Sequence, residues 1–418
     1  MDLSGGRTVT VTGMGLVSPL GCDLVSVWGR TMRGESGAVL MPRRKSGGTG
    51  VPYYCPVTEE RPAADCGRHL RFALTAAEAA VEDAGLDLGV TGLRVGVCIG
   101  TSKGELSCLE KACALLRQGK VNEIDRELLG SIAGASAASA VSARWKLKCP
   151  VGVPVAACAT GAHAIFLGER MIRRGEADVV VAGASDSCLS PLLLAGYLRM
   201  GVLAVHGNSP AEACRPYDAD RSGFVIGEGC GIVILEEEGH AARRGARVLA
   251  KLKGSAIGED IHHATAPDPS GRALAGVITA ALRSAGLTGE EIDYVNTHGT
   301  GTRLNDPAET RAVKRAFGAH ASELSLSSTK PLTGHLLGAA GSVEFIISVM
   351  ALGRGVIPPT INLRRSEPEC DLDYTPLIAK KRDIRNFVSI SSGFGGHIAA
   401  LVAGKPDSFR DRIDPAMD

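Results

Sequence analysis

The 418-residue chain is long enough for about two or three average domains or one large double domain. Its 46 Lys and Arg stand against 45 Asp and Glu, a formal charge of +1, so no global field recruits nucleic acid or an acidic membrane, though a local basic patch stays open. Hydrophobic residues at 44%, aromatics at only 4% and 53 glycines argue against disorder and suit an α/β protein with many tight turns.

Twelve cysteines are scattered along the chain without a C-x-x-C pair, and the opening MDLSGGRTVTVTGMG has no signal-peptide pattern. No apolar run reaches the roughly 18 residues of a membrane span, since 191–205 is interrupted by Gly196, Arg199 and Gly201. The expectation is a cytoplasmic protein with reduced thiols and no membrane or nucleic-acid partner.

In chain order, 7–16 alternates as a strand ending in the turn GMGLVSPLG, and 23–33 follows as a short helix. Residues 34–62 have little periodicity and read as loop, with the basic run Arg43, Arg44, Lys45. An Ala-rich helix over 71–84 is stopped by Gly85, and 93–100 is a buried strand. Polar helices run through Leu129, and the Ala- and Ser-rich 130–145 predicts a helix packed tightly on another surface, a subunit interface or an internal contact.

The next stretch, VGVPVAACATGAHAIFLGERMIRRGEADVVVAGASD over 151–186, reads as strand, sharp turn, helix, strand, with Cys158 at the turn. A sulfur there lies near unpaired backbone N–H groups and the positive end of a helix dipole, both of which favour the thiolate. A helix terminus contributes roughly 0.3–2 kcal/mol, which predicts a thiol about one unit below its free value near 8.5. Small residues Ala156, Ala157, Ala159 and Gly161 leave room for a carbonyl to approach. A buried structural cysteine is the competing reading.

The second half repeats the order of the first at an offset of about 200 residues. RFALTAAEAAVEDAGL echoes RALAGVITAALRSAGL, LRVGVCIGT echoes EIDYVNTHGT, the Cys158 unit echoes LSLSSTKPLTGHLLGAAGSVEFIISVMAL, and VVVAGAS echoes NFVSISSGFGG. Two copies of one α/β unit are therefore expected to face each other, with functional residues from both halves near strand ends. His298, in NTHGTGT, and His335, in KPLTGH, fall on such turns. A zinc site is the rival arrangement, but the short paired spacings of metal motifs are missing and Lys330 lies nearby, so no metal is expected.

Together VAACATGAHAI, THGTGT, STKPLTGHLLGAAGSVE and SGFGGH, with GMGLVSPLG, RPYDADRSGFVIGEG and PECDLDY in order around them, resemble the β-ketoacyl-acyl carrier protein synthase family over nearly the whole chain. The resemblance implies a thiolase-like fold, two pseudo-repeated α/β halves in a layered αβαβα architecture, with an N-terminal half over 1–245, a C-terminal half over 246–407 and a tail over 408–418. It also implies a dimer, either a homodimer or a heterodimer with a chain-length-factor-like subunit. The implied reaction is a decarboxylative Claisen condensation of an acyl thioester with malonyl-acyl carrier protein. The enzyme would hold no cofactor of its own, its substrates arriving on the phosphopantetheine of acyl carrier protein.

Carried over by motif, Cys158 matches the nucleophile, and His298 and His335 the pair that stabilises the enolate. Lys330 matches a lysine that holds local charge and hydrogen bonds, with Glu344 as its partner; a structural salt bridge competes with that role. Thr300 and Thr302 match the hydroxyls that receive phosphopantetheine, where turn capping is the alternative. Phe394, in GFGG, matches a mobile aromatic whose backbone N–H, with that of Cys158, forms the oxyanion hole. Arg68, Arg71 and Arg199 are candidates for carrier-protein docking.

The family's fatty-acid elongating members usually follow GFGG with Thr-Asn, whereas this chain has His397-Ile398. SGFGG and THGTGTRLNDPAET look more like the ketosynthase α subunit of type II polyketide synthases, so polyketide synthesis is favoured over housekeeping fatty-acid elongation. A non-catalytic partner subunit shares the fold but typically loses the cysteine. Thiolases and initiating condensing enzymes use Cys-His-Cys or Cys-His-Asn sets, which the GHLLGAAGS block does not fit.

Overall fold

Apolar runs buried on both faces make the central strands of this protein, which is why they read as near-continuous Val, Ile, Ala and Gly rather than as strict alternation. The computed structural model describes residues 6–42, 47–58, 67–148 and 150–406. The basic run Arg43, Arg44, Lys45 and the tail over 408–418 lie outside the described residues. The first half supplies β1 (Val9–Val17), β2 (Val95–Gly100), β3 (Val151–Gly152), β4 (Val179–Asp186) and β5 (Gly229–Glu237). The second supplies β6 (Ala250–Glu259), β7 (Tyr294–Asn296), β8 (Ser325–Ser327), β9 (Asn386–Ser392) and β10 (His397–Gly404).

These strands form one 10-stranded sheet in the order β8-β7-β9-β10-β6-β1-β5-β4-β2-β3. Read outward from the middle, the two halves are the same: two antiparallel pairings, then two parallel ones. Within the sheet the halves join where Val9, Thr10 and Val11 of β1 meet Leu252, Lys251 and Ala250 of β6. The letter-level repeat is therefore a repeat of topology.

Helices sort into layers on these sheets. On the outer face of the first half lie α1 (Arg68–Asp83) and α2 (Ser136–Arg144), which close one apolar core with β1, β2, β4 and β5. Two helices fill the space between the halves, α3 (Thr160–Arg173) and α7 (Ala340–Arg354). The outer face of the second half carries α5 (Arg272–Ala285) and α6 (Asn305–Phe317). A further helix, α4 (Pro191–Arg199), stands near the ends of the strands. The result is the αβαβα layering of a thiolase-like fold.

The segment Leu337–Arg354 is long and apolar enough to cross a membrane, but 89% of it is buried inside the protein. Its apolar surround comes from having a sheet on either side.

Two expected elements differ. The strand before Cys158 pairs only at Val151–Gly152, because Pro154 lacks an N–H and the chain then turns towards the helix. The 130–145 helix is split into Leu128–Ile132 and Ser136–Arg144, with Gly134 between them.

At the centre, α3 and α7 begin against each other. A Cβ on Gly161 would lie 2.6 Å from the backbone nitrogen of Ser342, and one on Gly341 would lie 2.9 Å from that of Ala162. Each copy thus contributes a glycine one turn into its helix, and only glycine permits that approach. Gly161→Ala and Gly341→Ala should each lower stability by about 1–3 kcal/mol through overpacking. Gly196→Ala on α4, where nothing lies within 4 Å, should be neutral or stabilising. Urea unfolding of the three variants checks this; equal midpoints would contradict the close crossing.

Candidate active site

The two central helices start in matching turns. Ala157–Ala159 is a short 3-10 turn leading into α3, and Leu337–Ala339 is its counterpart leading into α7. The residue that opens each turn is a non-glycine with positive φ, Ala157 at 47° and Leu337 at 52°. Such backbone costs of order 1–3 kcal/mol and persists where surrounding structure holds it. Cys158 follows the first strained residue and Gly338 the second. Gly338 cannot carry a side chain, since its Cβ would lie 2.5 Å from a carboxylate oxygen of Asp186. Only the first copy of the turn presents a nucleophile.

Asp186, at the end of β4, ties the turns together. It accepts from the Gly338 N–H at 2.6 Å, the Thr101 hydroxyl at 2.6 Å and the Ser102 N–H at 3.0 Å. This residue was not singled out in the sequence; its only signal is an acid closing the otherwise apolar VVVAGAS strand.

The structure brings Cys158, His298, His335, Thr300, Thr302 and Phe394 to the wall of one cavity of about 540 Å³. The rings of His298 and His335 are 5.4 Å apart and nearly perpendicular. Neither Nδ1 has a partner, and burial, with the Lys330 charge behind, holds both pKa values well below the ordinary imidazole range. Both rings are therefore neutral. Phe224, also missed in the sequence, packs edge-on against His335 at 4.8 Å.

His298 is fixed through its backbone. Glu309, from α6, accepts from the N–H groups of His298 at 2.6 Å and Gly299 at 2.9 Å, and from the Tyr217 hydroxyl at 2.9 Å. Asp306, one turn earlier on α6, accepts from Gly301 and Tyr217 N–H groups. The run of small residues in THGTGT thus becomes a rigid loop because α6 supplies acceptors to it. Thr300 and Thr302 hydrogen-bond each other at 2.9 Å.

Lys330 is fully buried and donates to Glu344 on α7 at 2.6 Å. Burial pushes the Glu344 carboxyl up, and the ammonium beside it pulls it back. Removing either partner would leave an uncompensated buried charge, typically a cost of about 3–5 kcal/mol. Among the described residues, no group of three or more His, Cys, Asp and Glu side chains is placed to hold a metal ion.

Two expectations need correction. The Cys158 thiol is not lowered: burial pushes it up to about 11, and the charges of Lys103 and Lys330 and the Phe394 N–H only partly offset this. The helix terminus is too weak to outweigh desolvation. Arg68 does not project towards a partner; it donates to buried Glu228 at 2.5 Å and to the Val57 carbonyl. Arg71 is half-buried on α1, whereas Arg199 is exposed at the end of α4 between Leu198 and Met200 of the cavity mouth.

Gly393 presses on the nucleophile turn, its Cβ position 3.0 Å from the Cys158 nitrogen, and the Phe394 N–H reaches the Cys158 sulfur. The Phe394 ring lies 6.3 Å from that of Tyr197 on α4. An aromatic ring, two backbone N–H groups and a thiol therefore share the throat of the cavity. His397, the departure after GFGG, also lines it and stacks edge-on to His163 at 6.0 Å.

Comparison with known proteins follows the same outline. The model of the beta-ketoacyl synthase N-terminal domain matches residues 54–241 and that of the beta-ketoacyl synthase C-terminal domain matches 249–364. A 3-oxoacyl-[acyl-carrier-protein] synthase 2 of Coxiella burnetii is 38% identical over 409 residues, 96% of this chain and 99% of that protein. The tetracenomycin polyketide synthase ketoacyl synthase alpha subunit of Streptomyces glaucescens is 36% identical, covering 97% and 98%. Among solved structures, a type II polyketide synthase ketosynthase, AntDE, determined with its acyl-carrier protein and bound to a hexaketide, superposes with a TM-score of 0.90 at 33% identity, over 96% of this chain and 100% of that one. An ishigamide ketosynthase/chain length factor gives 0.88 at 32% identity, over 96% and 99%.

A thiol with a raised pKa is protonated at neutral pH, and its thiolate fraction grows tenfold per pH unit until the pKa is reached. Alkylation of Cys158 by iodoacetamide, followed by peptide mass spectrometry, should therefore still be accelerating at about pH 10. A plateau near the free-thiol value of about 8.5 would contradict the dominance of burial.

Proposed function

The chain belongs to the beta-ketoacyl synthase family, and on that premise we propose that it carries out decarboxylative condensation in type II polyketide synthesis, with Cys158 as acyl carrier and His298 and His335 as enolate stabilisers. The observation that carries this reading is the convergence of one buried thiol and two neutral imidazoles on a single cavity.

The first half-reaction is thioester exchange. The sulfur of Cys158 attacks the acyl carbonyl, the oxyanion is received by the N–H groups of Cys158 and Phe394, and the carrier thiol leaves with the proton that Cys158 gives up. No net proton sink is needed, so a thiol that is protonated at rest is compatible with the step. The dry cavity protects the acyl-enzyme from hydrolysis.

In the second, a malonyl thioester enters with its pantetheine arm along Thr300 and Thr302 and loses carbon dioxide. Electron density moves onto the thioester oxygen, where N–H groups from His298 and His335 meet it. Neutral rings suit this task because they donate without neutralising the enolate by full proton transfer. The enolate carbon then attacks the acyl group, and the C–S bond to Cys158 breaks. The departing thiolate takes one proton from solvent. Lys330 and Glu344 hold the local field behind the pair.

Substrates are proposed to arrive on acyl carrier protein, with Arg199 at the mouth as a docking contact and Arg71 as a second candidate. Arg68 serves instead to hold Glu228. The partner subunit would be a second copy or a chain-length-factor-like chain. The polyketide assignment is supported by His397-Ile398 in place of Thr-Asn, and by the likeness to ketosynthase α proteins; housekeeping elongation is the alternative.

His298→Ala and His335→Ala should each slow malonyl decarboxylation by about a hundredfold to a thousandfold while leaving acylation of Cys158 much less affected. Carbon dioxide release and acyl-enzyme mass, followed separately, check this. Wild-type decarboxylation in both variants would overturn the assignment.

Phe394→Ala should raise unprimed malonyl decarboxylation relative to primed condensation, because the ring would no longer close the throat before an acyl group displaces it. A proportional fall in both rates would reduce Phe394 to packing.

A further inference from the structure

The turn that follows β2 places a cation beside the nucleophile, and nothing in the reaction just described uses it. Lys103 is half-buried, with Nζ 5.9 Å from the centre of the Tyr197 ring. Tyr197 in turn neighbours Phe394 at 6.3 Å and Phe224 at 6.1 Å. The Lys103 charge is close enough to act on Cys158, Cys188 and His335.

Its turn is fixed, since Thr101 and Ser102 are both bonded to Asp186. The adjoining carboxylates are already engaged. Asp186 is bonded to three donors, and Glu105 is bonded to His69 at 2.9 Å and to Ser107. Among the described residues Lys103 makes no hydrogen bond or ion pair.

The surroundings are apolar. Cys158 belongs to a buried cluster that includes Cys188, Leu194, Tyr197, Phe224 and Leu337, with Phe394 packed against it. A plain alkyl chain on Cys158 lying along this cluster would strip water from the ammonium and offer nothing in return. A chain with carbonyl oxygens near the thioester would supply acceptors and convert the same burial into charge-assisted hydrogen bonds.

We propose that Lys103 is a specificity-determining residue that selects β-oxoacyl chains over alkyl chains of the same length for loading onto Cys158. This rests on the reading of Cys158 as the acyl carrier. It deepens that reading by naming the substrate class: acyl groups that keep their oxygens, as unreduced chains from repeated condensation do. The reaction that supplies them is therefore a preceding condensation without intervening reduction of the keto group.

The test is single-turnover acylation followed by intact-protein mass spectrometry, with 3-oxobutanoyl against butanoyl and 3-oxohexanoyl against hexanoyl pantetheine thioesters. Wild type, Lys103→Met, Lys103→Gln and Lys103→Arg are compared. Intrinsic thioester reactivity is common to all four proteins, so the change in the oxo-to-alkyl ratio isolates the side chain. The ratio should fall about tenfold or more in Lys103→Met, fall in Lys103→Gln, and be largely kept in Lys103→Arg.

An unchanged ratio in Lys103→Met and Lys103→Gln would overturn the proposal. So would a common fall for both members of each pair, which would mean that the charge only tunes the thiol, or a selective loss of malonyl decarboxylation, which would assign Lys103 to the donor. Absence of acylation of Cys158 by any thioester in wild type would instead overturn the reading of Cys158 on which the proposal stands.

Discussion

The backbone-to-backbone approach of α3 and α7 is the constraint on which the rest of the site depends. Gly161 sits on Ser342 and Gly341 on Ala162, so the first turns of two pseudo-equivalent helices occupy the same small volume. That contact places the Cys158 turn next to the turn holding His335 and Gly338, and lets one carboxylate, Asp186, bond across both. A larger residue at either glycine would separate the copies and, with them, the thiol from the imidazoles. Duplication supplies two similar turns; the divergence at Cys158 and Gly338 makes one chemical and the other structural.

Burial governs the chemistry that follows. It raises the Cys158 thiol, lowers both histidines and forces Lys330 to pair with Glu344. Each shift disfavours a resting charge, which leaves a cavity where charge can develop on a substrate oxygen and be met by fixed donors at little reorganisation cost. The same dryness makes any unpartnered ion conspicuous. Lys103 stands out for that reason, whereas Arg68, with its guanidinium on buried Glu228, does not.

Much of this was legible in the sequence because local pattern and global topology agree. The echoes of RFALTAAEAAVEDAGL in RALAGVITAALRSAGL and of VVVAGAS in NFVSISSGFGG correspond to α1 and α5, and to β4 and β9, at equivalent places. The residues that escaped notice act through backbone rather than through a motif. Glu309 serves the loop of His298 from a helix, and Asp186 reads as the polar end of a strand until its three donors are seen. The thiol shift went in the opposite direction because a helix terminus is visible in sequence and complete burial is not. Pro154 ended β3 earlier than the valine alternation suggested, because alternation says nothing about where the ladder loses a donor.

The account's central claim is that acyl transfer and condensation pass through one sulfur, that of Cys158. Peptide mass spectrometry of the wild-type protein, after exposure to an acyl-carrier thioester and again after addition of malonyl-acyl carrier protein, tests it most directly. The account predicts a single acyl mass on the peptide containing Cys158, which disappears on addition of the malonyl donor as an equal amount of β-ketoacyl product forms on the carrier. An adduct on another cysteine, or one on Cys158 that persists while product accumulates, would contradict it.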